Sequence, residues 1–166
     1  QGDRERPAAL RAGQLAGPPR ALGSQRPRST FGGNPVACAA GLAVLAEIRE
    51  RDLVANAAAR GAELSAGLRA IAAGDARIGD VRGPGLMIGV EFVRDRATRE
   101  PDGATCETVI QRCADEGLLL LSCGVEHNVI RWIAPLDVSS DEISAALGTF
   151  QRVLATTPME PGQAGI

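Results

Sequence analysis

The sequence predicts a small α/β domain in which helices cover one face of a mixed or antiparallel β-sheet. Three observations support this fold class: apolar residues recur at helical spacing near both ends, short apolar segments lie between them, and a Gly-Pro-Gly turn at residues 83–85 joins two of those segments. The predicted order is helix, helix, strand, strand, helix, strand, strand, helix. A chain of 166 residues is long enough for one such domain.

Two helices are predicted at the start of this domain. Gly32-Gly33-Asn34 is a turn signal, and Pro35 suits the first position of the helix that follows. Asp52 is placed to cap a second helix. The apolar stripes of the two helices are Leu42, Leu45 and Ile48, and then Leu53, Ala57, Leu64, Leu68 and Ile71.

The pattern then changes to that of strands. Residues 78–81 and 86–93 flank the 83–85 turn and predict a β-hairpin. Residues 105–116 predict a helix with Val109 on its apolar face. The central part of the chain should therefore hold a hairpin followed by one helix.

Two short strands and a helix complete the prediction. Residues 118–121 and 129–133 are apolar and predict strands. Ser139 and Glu142 have the spacing of a capping box and should begin the last helix. Its apolar residues are Ile143, Leu147, Phe150 and Leu154.

The two ends of the chain differ from the domain between them. Residues 1–28 are rich in Arg, Pro, Gly and Gln without a helix or strand period, which predicts a disordered arm. Residues 159–166 follow Pro158 and predict a frayed tail. The ordered domain is therefore expected to span residues 29–158.

Composition excludes several classes of function. Net charge is −2, which provides no basic face for nucleic acid, and no apolar run approaches the roughly 20 residues that span a membrane. The four cysteines form no C-x-x-C pair, so we expect no metal site, and free thiols in a cytoplasmic protein. The chain has no lysine: all 18 basic residues counted as Lys or Arg are Arg. Since a guanidinium stays protonated, no side chain here can form a Schiff base.

One candidate site is the segment from Ser29 to Pro35. The Thr30 hydroxyl beside flexible glycines, before a helix N-terminus, can bind an oxyanion such as phosphate. Glycine turns before helices are common, however, so by itself the segment favours a plain turn.

Arg131 is a second candidate, because it is a lone charge inside the apolar strand 129–133. Its planar guanidinium can bind a carboxylate through two parallel hydrogen bonds. The alternative is an edge strand with Arg131 on its solvent face, and the residues alone leave the two equally open.

Three other residues are weaker candidates. Arg82 precedes the hairpin turn, where a structural role is favoured over a solvated one. His127 lies in a polar loop and is more often a surface residue than a catalytic one in such a place. Cys123 has no base nearby in sequence, which favours a packing role at a strand end.

Three segments together resemble one family. The first is Ser-Thr-Phe-Gly-Gly-Asn-Pro-Val-Ala-Cys-Ala-Ala at 29–40, and the second is Val-Arg-Gly-Pro-Gly-Leu-Met-Ile-Gly-Val-Glu at 81–91. The third is Leu-Leu-Leu-Leu-Ser-Cys-Gly at 118–124 with Asn-Val-Ile-Arg at 128–131. All three are similar to segments of class III, pyridoxal-phosphate-dependent aminotransferases. The likeness is greatest to 4-aminobutyrate aminotransferases and related ω-amino acid enzymes, and its order and spacing agree from residue 29 to about residue 155.

The resemblance implies the C-terminal small domain of a type I pyridoxal-phosphate fold, in a homodimer that transfers an amino group from an ω-amino acid such as 4-aminobutyrate to a 2-oxo acid. It implies that Thr30, with Ser29, contacts the cofactor phosphate and that Arg131 binds the substrate carboxylate. The family's Schiff-base lysine would fall near Gly2, where there is none. We therefore expect an inactive fragment that binds pyridoxal phosphate weakly or not at all.

Two alternatives to a transaminase remain open. In the first, the chain is a non-catalytic remnant or a dimerising partner domain. In the second, it belongs to an aminomutase or racemase of the same fold.

Overall fold

The computed structural model describes residues 33–158. This part of the chain divides after Leu42 into two units. Residues 1–28, 159–166, Ser29 and Thr30 lie outside the described residues, so the predictions made for them stay predictions.

The described part of the first unit is a helix start. Gly33 has a φ of 80°, a conformation that glycine adopts without strain. The Asn34 Oδ1 atom accepts a hydrogen bond of 2.9 Å from the Val36 N–H, so this side chain caps the helix. Helix α1 (Pro35–Glu50) begins at Pro35 as predicted and ends in the second unit.

The described part of the second unit contains three more helices and four strands. They are, in chain order, α2 (Leu53–Gly74), β1 (Ile78–Arg82), β2 (Met87–Phe92), α3 (Gly103–Asp115), β3 (Leu121–Cys123), β4 (Val129–Ile133) and α4 (Ser140–Thr156). No helix within residues 33–158 is long and apolar enough to cross a lipid bilayer.

The four strands form one antiparallel sheet in the order β1-β2-β4-β3, so β2 and β4 are its inner strands. The predicted hairpin and the predicted strand at 129–133 are confirmed. The strand predicted at 118–121 was wrong in its bounds, because pairing with β4 begins only at Leu121. Leu118 to Leu120 instead connect α3 to the sheet, and Leu120 is buried in the core.

The core lies between one face of the sheet and helices α2, α3 and α4. Alternate residues of the inner strands, Val90, Ile130 and Trp132 among them, point into it. The Trp132 and Phe150 rings meet edge to face, with centroids 5.3 Å apart. Because aromatic residues make up only 2 % of the chain, most of the core is aliphatic.

A close contact joins α2 to the hairpin turn. Gly61 approaches the backbone of Gly85 so closely that a Cβ atom at residue 61 would lie 2.3 Å from the Gly85 carbonyl carbon. Gly85 itself has a φ of 54°, which favours glycine. The contact therefore requires glycine at residue 61 for lack of space, and the backbone conformation favours glycine at residue 85.

The helix starts follow the predictions unevenly. Ser139 and Glu142 form the predicted capping box of α4. Asp52 precedes α2, but it lies in the left-handed region with a φ of 48° and its side chain makes no capping hydrogen bond. The prediction was therefore right that Asp52 immediately precedes the helix, and wrong that its side chain caps it. Asp102, which the sequence analysis did not single out, caps α3 by accepting from the Thr105 N–H.

Arginines from other elements bind the C-terminal ends of α2 and α4. Arg77 donates to the Leu154 and Thr157 carbonyl oxygens at 2.7 and 2.9 Å. Arg112 donates to the Thr156 carbonyl oxygen at 2.7 Å. Arg96 donates to carbonyl oxygens at the end of α2. Cations at these positions also suit the negative end of the helix dipole.

Candidate functional site

The sheet face opposite the core carries the candidate residues. Its side chains form two rows across the strands, since residues paired in register point to the same side. The rows are Arg82, Gly89, Arg131 and Leu121, and then Asp80, Glu91, Val129 and Cys123. We call this surface the outer face.

Arg131 lies near the middle of the outer face. It is the third residue of β4 and is exposed, between Gly89 of β2 and Leu121 of β3. Because β4 has neighbours on both sides, the edge-strand alternative was wrong, although the side chain does reach the surface. Met87 and Ile133, which pair with each other, add apolar area beside it, with 56 and 60 % of each residue exposed.

The Arg131 guanidinium has no bound partner in the described part of the chain. Of the twelve arginines in residues 33–158, eight donate side-chain hydrogen bonds to oxygen atoms, and Arg94 forms an ion pair with Glu100. The remaining three are Arg49, Arg69 and Arg131, and the first two lie on helices. Of the arginines on the strands in residues 33–158, Arg131 is therefore the one whose five N–H donors are free for an external acceptor.

A group of four charged residues lies beside Arg131 on the outer face. The Glu91 Oε2 atom accepts from Arg82 Nη1 at 2.5 Å and from Arg99 Nη2 at 2.9 Å. Arg82 Nη1 also donates to Asp80 Oδ2 at 2.9 Å. Hydrogen bonds to these two carboxylates raise the pKa of Arg82 above its ordinary value, Asp80 contributing most. The anchoring role predicted for Arg82 is confirmed.

The loop between β2 and α3 holds Arg99 over this face. The Asp95 Oδ1 atom accepts from the Ala97 and Thr98 N–H groups at 2.7 and 2.8 Å, and the Arg99 N–H donates to the Asp95 carbonyl at 2.8 Å. These N–H donors lower the pKa of Asp95, with Thr98 the larger cause. The turn places Arg99 in the left-handed region, with a φ of 58°.

Neither of the other two predicted candidates, His127 and Cys123, belongs to the charged group beside Arg131. His127 is exposed in the turn before β4, with a φ of 52°, which agrees with a surface role. Cys123 ends β3 and is partly buried. Burial raises the pKa of Cys106 to about 12, so this thiol is not a nucleophile near neutral pH.

Three charged residues of the site, Asp80, Glu91 and Arg99, were missed by the sequence analysis. Glu91 stands in an apolar run, Val90-Glu91-Phe92, and a lone charge in a strand is the same signal that singled out Arg131. Arg99 gave no such signal, because it lies in a polar loop where charged residues are ordinary.

The described residues do not fit a covalently bound pyridoxal phosphate. The chain has no lysine to carry the cofactor. At the start of α1, the N–H groups of Val36 and Ala37 are directed to Asn34 Oδ1, at 2.9 and 3.4 Å, which reduces the donors left for a phosphate.

Comparisons with known proteins agree on one family. The family described as aminotransferase class III matches residues 15–154. A 4-aminobutyrate aminotransferase of Escherichia coli is 41 % identical over 118 residues, 71 % of this chain and 28 % of the relative. A 5-aminovalerate aminotransferase of Pseudomonas aeruginosa is 40 % identical over 118 residues, with the same two shares.

A solved structure shares the fold. It is an amine transaminase from an uncultivated Pseudomonas species in its pyridoxal-phosphate-bound form, with a TM-score of 0.70 and 33 % identity, and the match covers 76 % of this chain and 29 % of that one. The chain thus spans under a third of the length of these relatives, in agreement with the fragment predicted from the sequence. On the extent of the family match and the identity to its members, this chain belongs to the class III aminotransferases.

Proposed function

We propose that this chain is the C-terminal small domain of an ω-amino acid transaminase and that Arg131 binds the carboxylate of the substrate. Amino-group transfer from a donor such as 4-aminobutyrate to a 2-oxo acid is the activity of the complete enzyme in this proposal. The Schiff-base lysine and most of the pyridoxal phosphate site would be supplied outside this chain. The same proposal includes contacts of Ser29 and Thr30 with the cofactor phosphate. It also includes a homodimer and a cytoplasmic location.

The observation that carries it is the free guanidinium of Arg131 on the outer face. Two parallel hydrogen bonds to a carboxylate fix the orientation of a small substrate as well as its position, and this lowers the entropic part of the barrier. Leu121, Met87 and Ile133 are exposed apolar neighbours that suit the methylene chain of an ω-amino acid. Family membership supplies the reaction class.

A chimeric enzyme tests this proposal despite the missing lysine. Residues 29–158 of this chain would replace the matching segment of the Escherichia coli 4-aminobutyrate aminotransferase, which retains its own lysine and large domain. In the chimera, Arg131→Ala should lower kcat/KM for 4-aminobutyrate on the order of a hundredfold, equivalent to about 2–4 kcal/mol of transition-state binding. Arg131→Lys should recover part of this loss, because an ammonium keeps the charge without the planar fork.

Two controls make the result specific. A carboxylate-free amine substrate should lose little activity in Arg131→Ala, since it has no group for the guanidinium to bind. Arg69→Ala removes another unpaired exposed arginine, on helix α2, and should leave both substrates unaffected. Equal losses for both substrates in Arg131→Ala would mean that the residue supports the fold and does not bind the substrate.

The missing lysine favours a second candidate, a non-catalytic domain that pairs with a related subunit. The DNA upstream of the coding sequence separates the two. A large domain with its lysine, in the same or another frame, supports the transaminase, whereas unrelated upstream sequence supports the non-catalytic domain.

A further inference from the structure

Glu91 occupies a position between two arginines of the outer face. Arg82 on β1 and Arg131 on β4 both pair in register with Gly89 of β2. Glu91 is two residues along β2 from Gly89, so each arginine is a diagonal neighbour of its carboxylate. Diagonal neighbours on an antiparallel sheet have Cβ atoms about 7–8 Å apart, which long side chains can bridge.

The carboxylate is bound on one side of this arrangement. It accepts from Arg82 at 2.5 Å and from Arg99 at 2.9 Å, and Arg131 remains unpaired. Gly89 has no side chain, and the Val129 side chain lies over it: a Cβ atom at residue 89 would be 3.2 Å from Val129 Cγ1. Glu91 and Arg131 remain diagonal neighbours within reach of long side chains, and Arg82 and Arg99 bind the Glu91 carboxylate on its other side.

We propose that Arg82 and Arg99 are positioning residues, which hold the Glu91 carboxylate away from Arg131 and so keep its guanidinium free for an external carboxylate. This inference rests on the proposed function of Arg131. Without the two arginines, Glu91 would be an internal competitor of the substrate. The apparent Kd would then rise by the reciprocal of the fraction of molecules in which Arg131 is still free.

The test is NMR of the 166-residue chain, observed at the Arg131 Nε–H signal, which is assigned by its loss in Arg131→Gln. The first arm uses no ligand. In Arg82→Gln/Arg99→Gln, the Arg131 signal should move and exchange more slowly with solvent, because the guanidinium pairs with Glu91. Adding Glu91→Gln should return it to the wild-type position.

The second arm uses 4-aminobutyrate as the probe. Its apparent Kd at the Arg131 signal should rise roughly two- to fivefold in the double variant, as expected for a surface ion pair in competition, and fall back when Glu91→Gln is added. Arg51→Gln/Arg94→Gln is the matched control. It also removes two exposed, ion-paired arginines, but neither of them contacts Glu91.

The two arms separate the possible failures. An Arg131 signal that stays unchanged in the ligand-free double variant would overturn the inference and leave the proposed function standing. A Kd that rises equally in the matched control would also overturn it, since general charge loss would then explain the effect. If the ligand-free signal moves as expected but 4-aminobutyrate never shifts it in the wild type, the proposed carboxylate site is wrong.

Discussion

Arg77 should be among the most costly side chains of this domain to remove. It is 3 % exposed, and its guanidinium donates to both carboxylate oxygens of Asp75 at 2.9 and 2.6 Å. It also donates to the Leu154 and Thr157 carbonyl oxygens at the end of α4. Arg77→Ala would leave a largely buried carboxylate unpaired and two helix-end carbonyls without this donor.

The size of the loss follows from that geometry. Removing one partner of a buried ion pair typically costs about 3–5 kcal/mol, a large part of the roughly 5–15 kcal/mol by which a small domain is stable. Arg77→Lys should lose less, because it keeps the charge but cannot reach all three groups at once. Urea denaturation followed by circular dichroism measures the free energy of unfolding of each variant.

Arg94 provides the control for this prediction. Its side chain is 48 % exposed and lies 3.6 Å from Glu100, so Arg94→Ala should change the free energy of unfolding by about 1 kcal/mol or less. If Arg77→Ala and Arg94→Ala gave similar losses, the reasoning from burial would be refuted.

Three further predictions use other parts of the fold. Gly61→Ala should destabilise the domain by about 1–3 kcal/mol through its contact with the hairpin turn, whereas Gly74→Ala, with nothing within 4 Å, should not, and thermal melts compare the two. A thiol reagent at mildly alkaline pH should modify exposed Cys38 at once and Cys106 only on unfolding, because burial raises the pKa of Cys106 to about 12; equal rates in the native protein would contradict this. The Ser139 N–H donates to Glu142 and lowers the pKa of this carboxyl below its ordinary 4.5. The ionised Glu142 therefore stabilises the folded protein fully above pH 4.5, and this contribution is lost as the pH falls through the folded-state pKa. Glu142→Gln should flatten this part of a plot of melting temperature against pH.

Local signals allowed most of the fold to be predicted. The Gly83-Pro84-Gly85 turn, the spacing of Ser139 and Glu142, and Pro35 each mark a boundary through backbone or capping chemistry that depends on adjacent residues. The structure has these boundaries within one or two residues of their predicted places, because the same short-range interactions are present in the folded chain.

Features that depend on distant residues could not be predicted in the same way. The four leucines from residue 118 to residue 121 are equally apolar, and only the register with β4 decides that the strand begins at Leu121. Asp52 has the right residue type for a cap, but its left-handed backbone turns the side chain away from that role. For the site, Arg131 was found as a lone charge in a strand, whereas Arg99 becomes part of it only through the folded loop.

The arginines at the helix ends have a consequence for how the domain opens. Helix ends ordinarily fray, and their amide hydrogens exchange with solvent through local opening. Here the last turn of α4 is bound by Arg77 and Arg112, and the end of α2 by Arg96, so each end is tied to residues distant in sequence. Opening either end breaks contacts made by a different element. Amide hydrogens near these two ends should therefore exchange at rates close to those of the sheet, and the domain should open as one cooperative unit.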